Sequence, residues 1–159
     1  MIQRIQTVFL FLVAVAMVLE VSFPIWEQFN ADQTQMMVLS AWSLDTLDVQ
    51  TNAVLASENK IFIALLAILS AGLAVFSIFQ YKNRTKQMFL NMINSIALVV
   101  NLALIIWTSH SANQVFNPTE DGTFVFGFYA IFGGMIMNLL ANRFIRKDEL
   151  LVRSVDRIR

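Results

Sequence analysis

The sequence predicts an all-α polytopic membrane protein: a bundle of four transmembrane helices, with a folded extracytoplasmic segment between helices one and two and a helical cytoplasmic tail. Two observations predict it. Of the 159 residues 57% are hydrophobic and 14% charged, with a mean hydropathy of +0.64, outside the range of a water-soluble domain of this length. The apolar residues also collect in four runs of about 20, the length a helix rising about 1.5 Å per residue needs to cross about 30 Å of hydrocarbon.

The first run covers about 5–25 (IQTVFLFLVAVAMVLEVSFPI) and is stopped by Pro24, whose ring removes a helical hydrogen bond. The second covers 61–81, the third 88–108 and the fourth about 124–142. None alternates with a period of two, and backbone groups must be paired in lipid, so helices are expected rather than a barrel. Arg4 followed by an apolar run with AVA at 14–16 imitates a signal peptide, but the run continues past that point. The first span is therefore expected to stay as an uncleaved anchor.

Charge sets an orientation. Arg4, the KNRTKQ link at 82–87 and the tail at 143–159 hold ten of the eleven lysines and arginines, leaving Lys60 in the other compartment. The positive-inside rule then places both termini and the link in the cytoplasm. Acidic residues lean the other way, with Glu27, Asp32, Asp45, Asp48, Glu58, Glu120 and Asp121 outside. Trp26, Tyr81 and Trp107 fall at span ends, where amphipathic rings favour the headgroup layer.

Zero formal net charge argues against a nucleic-acid partner, which needs a basic excess to displace counterions from phosphate. The absence of cysteine excludes disulfides, thiolate catalysis and cysteine-held metal, and a single histidine, His110, argues against haem or zinc, so no cofactor is expected. No paired carboxylates, histidine cluster or glycine-rich phosphate loop points to catalysis.

Helices in lipid associate through small residues and occasional hydrogen bonds. Ala67, Ser70, Ala71, Ala74 and Ser77 supply such a stripe on span two, and Gly127, Ile131, Gly134, Asn138 and Ala141 on span four, with Gly133 adjacent. Span three places Asn91, Asn94, Leu98 and Asn101 on one face. Asn91 and Asn94 share a depth with Asn138 and Asn142, so the two sets are placed to meet, as a clasp between helices or as the wall of a polar pathway.

Glu20 is the carboxylate set inside an apolar run, where a charge at the bilayer centre costs about 2.5–3.5 kcal/mol. Either the helix ends by Phe23 and Glu20 sits at a wet boundary, or the span continues and Glu20 points into the membrane at the depth of Asn101.

The outer segment, 27–59, is too long for a turn and too apolar for a linker. Partial alternation from Val38 to Val49 allows a short β-hairpin, and an amphipathic helix is the alternative. In the tail, Glu149 and Arg153 are spaced i,i+4, and Leu151, Val155 and Ile158 form an apolar strip. Arg146, Arg153 and Arg157 flank it, which suits anionic lipid, the chain's own N-terminus or a cytoplasmic partner.

MIQRIQTVFLFL at one end and NRFIRKDELLVRSVDRIR at the other resemble a family of four-helix inner-membrane proteins of Bacteroidota-type bacteria catalogued as domain of unknown function 4293. The resemblance covers the whole chain in length and span order. It implies an inner-membrane location with the outer segment in the periplasm, and no reaction, cofactor or catalytic residue.

Two functions are expected from these features. The first is a non-catalytic accessory or assembly subunit whose partners are the bilayer and other inner-membrane proteins. The second is an oligomeric channel or transporter using Glu20 and the asparagine-bearing faces. A lipid- or small-ligand-binding protein or a membrane enzyme is a third class, the enzyme needing a cavity beside Glu20 or Asn138.

Overall fold

The computed structural model describes residues 5–81 and 83–156, with side chains as far as Leu150. Its elements run α1 (Ile5–Ser22), β1 (Trp26–Phe29), β2 (Gln35–Leu39), β3 (Ser43–Asp48), β4 (Val54–Asn59), α2 (Ile61–Phe79), α3 (Arg84–Phe116), β5 (Thr123–Phe124) and α4 (Phe126–Asp156). All four helices are long and apolar enough to cross a membrane.

Local chemistry sets the breaks. Pro24 ends α1, and the next residue turns into the sheet, the Ile25 N–H donating to the Leu39 carbonyl at 2.7 Å. The Asn59 carboxamide oxygen accepts from the Ile61 N–H at 2.9 Å where α2 begins. Asn83 caps α3 by accepting from the Lys86 N–H at 3.1 Å, and Asn117 followed by Pro118 closes it.

The strands form one antiparallel sheet in the order β4-β3-β2-β1-β5. Polar side chains build its turns. Asn30 accepts from the N–H groups of Thr34 and Gln35, next to Gln33 at φ 52°. At the β3–β4 turn, Asp48 accepts from the Thr51 N–H and hydroxyl and the Gln50 N–H, and Asn52 takes φ 53°. Those bonds, the Thr51 N–H foremost, hold the exposed Asp48 carboxyl below its usual range.

This sheet lies across the end of the bundle where α1 and α3 finish and α2 and α4 begin. The Trp42 indole donates to the Val21 carbonyl at 3.2 Å, the Ala64 N–H to Ala41 at 3.0 Å and the Gly127 N–H to Pro24 at 2.9 Å. Ile25, Trp26, Leu39 and Leu44 from the sheet share one core with Met17, Ile63, Ile105 and Ile131 from the helices. α1 packs on α2 and α4, and α3 packs on the same two, so α1 and α3 face each other across the centre.

Outward-facing positions on the helices are large and apolar: Phe79 and Trp107 are 71% and 75% exposed, and Phe11, Val99 and Leu139 are also exposed. So much contiguous apolar surface suits hydrocarbon and not water.

Several expectations are corrected. The fold is not all-α, because 26–59 forms four strands and a fifth, Thr123–Phe124, joins them across the bundle end. α1 stops at Ser22 rather than at 25 and α2 at Phe79 rather than at 81. α3 exceeds 88–108 at both ends, and its 33 residues reach about 50 Å, more than hydrocarbon alone requires. α4 starts at Phe126 rather than 124, because Phe124 pairs with Trp26; its continuation past Asn142 as one helix is the expected helical tail. Trp26 is 2% exposed under Gly122 rather than turned toward headgroups; Tyr81 and Trp107 are exposed.

Candidate functional site

Each helix buries a strip whose members are spaced alternately four and three residues apart. On α1 these are Gln6, Leu10, Val13, Met17 and Glu20, and on α2 Ile63, Ala67, Ser70, Ala74 and Ser77. On α3 they are Gln87, Asn91, Asn94, Leu98, Asn101, Ile105, Thr108 and Ala112; on α4, Gly127, Ile131, Gly134, Asn138, Ala141 and Ile145. A seven-residue repeat keeps one face of each helix on the bundle axis, as in a coiled coil. In a soluble bundle such positions would be leucine and isoleucine. Here many are amide or hydroxyl side chains.

They meet in three polar layers. At the tail end, the Gln6 amide lies 3.4 Å from the Gln87 carbonyl oxygen across the bundle, and the Gln87 amide donates to the Ser77 backbone carbonyl at 3.1 Å. In the next layer the Ser70 hydroxyl donates to Asn94 Oδ1 at 2.5 Å and the Asn94 amide reaches Asn138 Oδ1 at 3.4 Å. Asn138 in turn donates to Ser95 Oγ at 2.8 Å and approaches the Asn91 backbone carbonyl at 3.4 Å, and the Asn142 amide lies 3.4 Å from the same hydroxyl. Three helices are joined through Asn94 and Asn138.

Toward the sheet, the Asn101 amide donates to Glu20 Oε1 at 2.7 Å, joining α1 to α3 across the centre. Both residues are buried, Glu20 completely. The two accounts of Glu20 are thus each right in one respect. It lies in the last turn of a helix that ends at Ser22, yet it faces the bundle and not a wet boundary. Beyond it the Gln28 amide lies within 2.8 Å of Asn113 Oδ1 and the Asn117 and Glu120 carbonyls, fixing the sheet to the end of α3.

Gly127 and Gly134 on α4 serve close approach. A Cβ on Gly127 would lie 2.6 Å from the Pro24 carbonyl and 2.9 Å from that of Phe23, and one on Gly134 2.9 Å from the Met17 methyl. Gly133 faces open space.

Sequence reasoning brought out Glu20, Asn91, Asn94, Asn101, Gly127, Gly134 and Asn138, and the structure places all of them on the buried strips. It missed Gln6, Gln87, Ser95 and the Gln28–Asn113 junction. The repeat itself carries the signal for the first two, since Gln6 stands two heptads before Glu20 and Gln87 one before Asn94.

Arg146 is exposed on α4. The side chains of Leu151, Arg153 and Val155, and residues Arg157 and Ile158 entirely, lie outside the described residues. One ion pair fixes the base of the tail: Arg84 Nε lies 3.2 Å from Asp148 Oδ2, and Arg84 also donates to the Asp148 carbonyl at 3.2 Å.

Chemically, these layers hold helices in register, each contact contributing about 0.6–2 kcal/mol in a membrane. No curated protein sequence matches the chain. A family model matches residues 2–158, nearly the whole length, and on that match the chain belongs to the family described as Domain of unknown function (DUF4293).

Proposed function

We propose that this chain is a non-catalytic subunit that accompanies or helps assemble a larger complex of the bacterial inner membrane, with both termini cytoplasmic and the sheet on the outer side. The observation that carries the reading is the free edge of the sheet. Among the described residues β4 is exposed throughout and pairs with β3 alone, so its outer row of N–H and C=O groups is open to a strand from another protein. Val54 and Leu55, 60% and 53% exposed, add apolar side chains to that edge. Asn94 with Asn138 and Asn101 with Glu20 hydrogen-bond from helix to helix, which suits a structural bundle. Orientation rests on charge: among the described residues Arg84, Lys86, Arg143, Arg146 and Lys147 share the tail end, with Lys60 at the sheet end.

Mild crosslinking in native membranes, at native expression, tests this reading. The wild type is expected to carry a specific companion that Leu55→Lys loses to background, since a charge on an edge strand blocks strand addition. A chain truncated after Leu150 shows whether the tail docks as well. Cutting after Asn142 would confuse the result by removing buried Ile145 and the Asp148 partner of Arg84. Recovery of this chain alone would contradict the accessory role.

An oligomeric channel or transporter is the second reading, favoured by buried atoms without partners among the described residues: both side-chain polar atoms of Asn91, Oδ1 of Asn101 and Oε2 of Glu20. Solute flux in proteoliposomes that vanishes with Glu20→Gln and Asn101→Leu would support it. Absent flux, or flux indifferent to both changes, would remove it.

A further inference from the structure

A cleft of about 450 Å³ opens between α3 and α4 near the tail end, and we propose that it holds the headgroup and upper acyl chain of an anionic phospholipid. The proposal rests on the bilayer reading of the four helices and not on the accessory role.

The lining is divided along its length. Met88, Phe89 and Met92 make an apolar wall, with Phe89 and Met92 more than half exposed at positions that face outward from the bundle. Arg146 stands on the other wall and Thr85 at the tail-end mouth. The deep limit is polar and closed, where the Asn142 amide approaches Ser95 Oγ at 3.4 Å. From Thr85 to Ser95 the cleft spans about 15 Å of α3, the scale of a glycerophosphate group with the first part of its chains.

Charge complementarity selects the occupant. Arg84, next to Thr85, is already matched by Asp148, whereas Arg146 makes no hydrogen bond or ion pair with another described residue. A guanidinium beside an apolar wall calls for a ligand with an anionic group at one end and hydrocarbon behind it, and its planar fork of donors matches two phosphate oxygens. Arg143 and Lys147, both exposed close by on α4, deepen the positive potential at that mouth. A zwitterionic lipid would supply the hydrocarbon without the net negative charge.

The full-length chain, reconstituted in phosphatidylcholine vesicles carrying a few per cent of phosphatidylglycerol with a photoreactive group in its acyl chain, provides the test. Adducts are expected to concentrate on the α3 segment from Met88 to Met92 and to be competed by unlabelled phosphatidylglycerol. Arg146→Gln should lower their yield about tenfold, since it removes the charge-assisted contact to the phosphate. Lys86→Gln removes the same charge from an exposed position outside the cleft lining and should leave the yield unchanged; Met92→Trp should block labelling with every charge intact. Melting curves of each variant separate lost binding from lost folding. Labelling spread evenly over the helices, competition by phosphatidylcholine to the same degree, or equal loss in Lys86→Gln would overturn the site while leaving the membrane placement standing. Competition by millimolar inorganic phosphate would show a free-anion site and would overturn it too.

Discussion

Gly127→Ala is expected to destabilise the protein by about 1–3 kcal/mol, because the added methyl meets backbone and not a movable side chain. The Pro24 and Phe23 carbonyls stand 2.6 and 2.9 Å from its position. The Gly127 N–H also donates to that same Pro24 oxygen, so pushing α1 and α4 apart breaks a hydrogen bond as well. Gly133→Ala is the control on the same helix. Nothing lies within 4 Å of its new methyl, and alanine is the better helix former by about 1 kcal/mol, so stability should hold or rise. Unfolding followed in mild detergent ranks the pair. Equal losses at both glycines would mean that the α1–α4 approach is not as close as described.

Asn101→Leu is expected to cost about 1–3 kcal/mol, since it strips the Glu20 carboxyl of its hydrogen-bond donor while leaving it buried. The informative comparison is the double variant. Glu20→Leu with Asn101→Leu removes both polar groups together, and a pair replaced by apolar side chains is tolerated better than a broken pair. The double variant should therefore be more stable than Asn101→Leu alone, with a coupling of about 0.5–3 kcal/mol between the two sites. Glu20→Gln, which keeps an acceptor for Asn101, should fold normally. Strict additivity of the two leucine changes would show that the cross-bundle contact contributes nothing.

How much was legible follows from the ranges of the interactions. The helices are written in local composition, and so is the polar face of α3, because residues spaced four and three apart share a face whatever the helix packs against. That is why Asn94 and Asn138, or Glu20 and Asn101, could be matched by depth before any contact was known. The sheet was legible only in part: the alternation from Val38 to Val49 allowed a hairpin, which β2 and β3 form, with an amphipathic helix left as the alternative. β2 and β3 are half-buried on both faces at most positions, which mutes the alternation that marks a strand. β5 is two residues long and pairs with β1 across most of the chain, so nothing near Thr123 announces it. The same strand pairing explains why α4 starts at Phe126. α3 was cut short at 108 because its span was measured by the length a bilayer requires; Ser109 and Asn113 in fact continue it on its buried side. Trp26 was placed by a rule for span ends, and the sheet took it instead.

Partner capture, solute passage and lipid binding all depend on the bilayer arrangement, and cysteine labelling tests it most directly. The chain contains no cysteine, so a single one can be placed at will. Gln50→Cys lies exposed in the β3–β4 turn and Leu150→Cys lies exposed near the far end of α4. With a membrane-impermeant maleimide and bacterial cells whose outer membrane has been opened, the expected result is rapid labelling at position 50 and none at 150 until the inner membrane is lysed. Labelling at 150 in sealed cells, whether together with 50 or in place of it, would contradict the account.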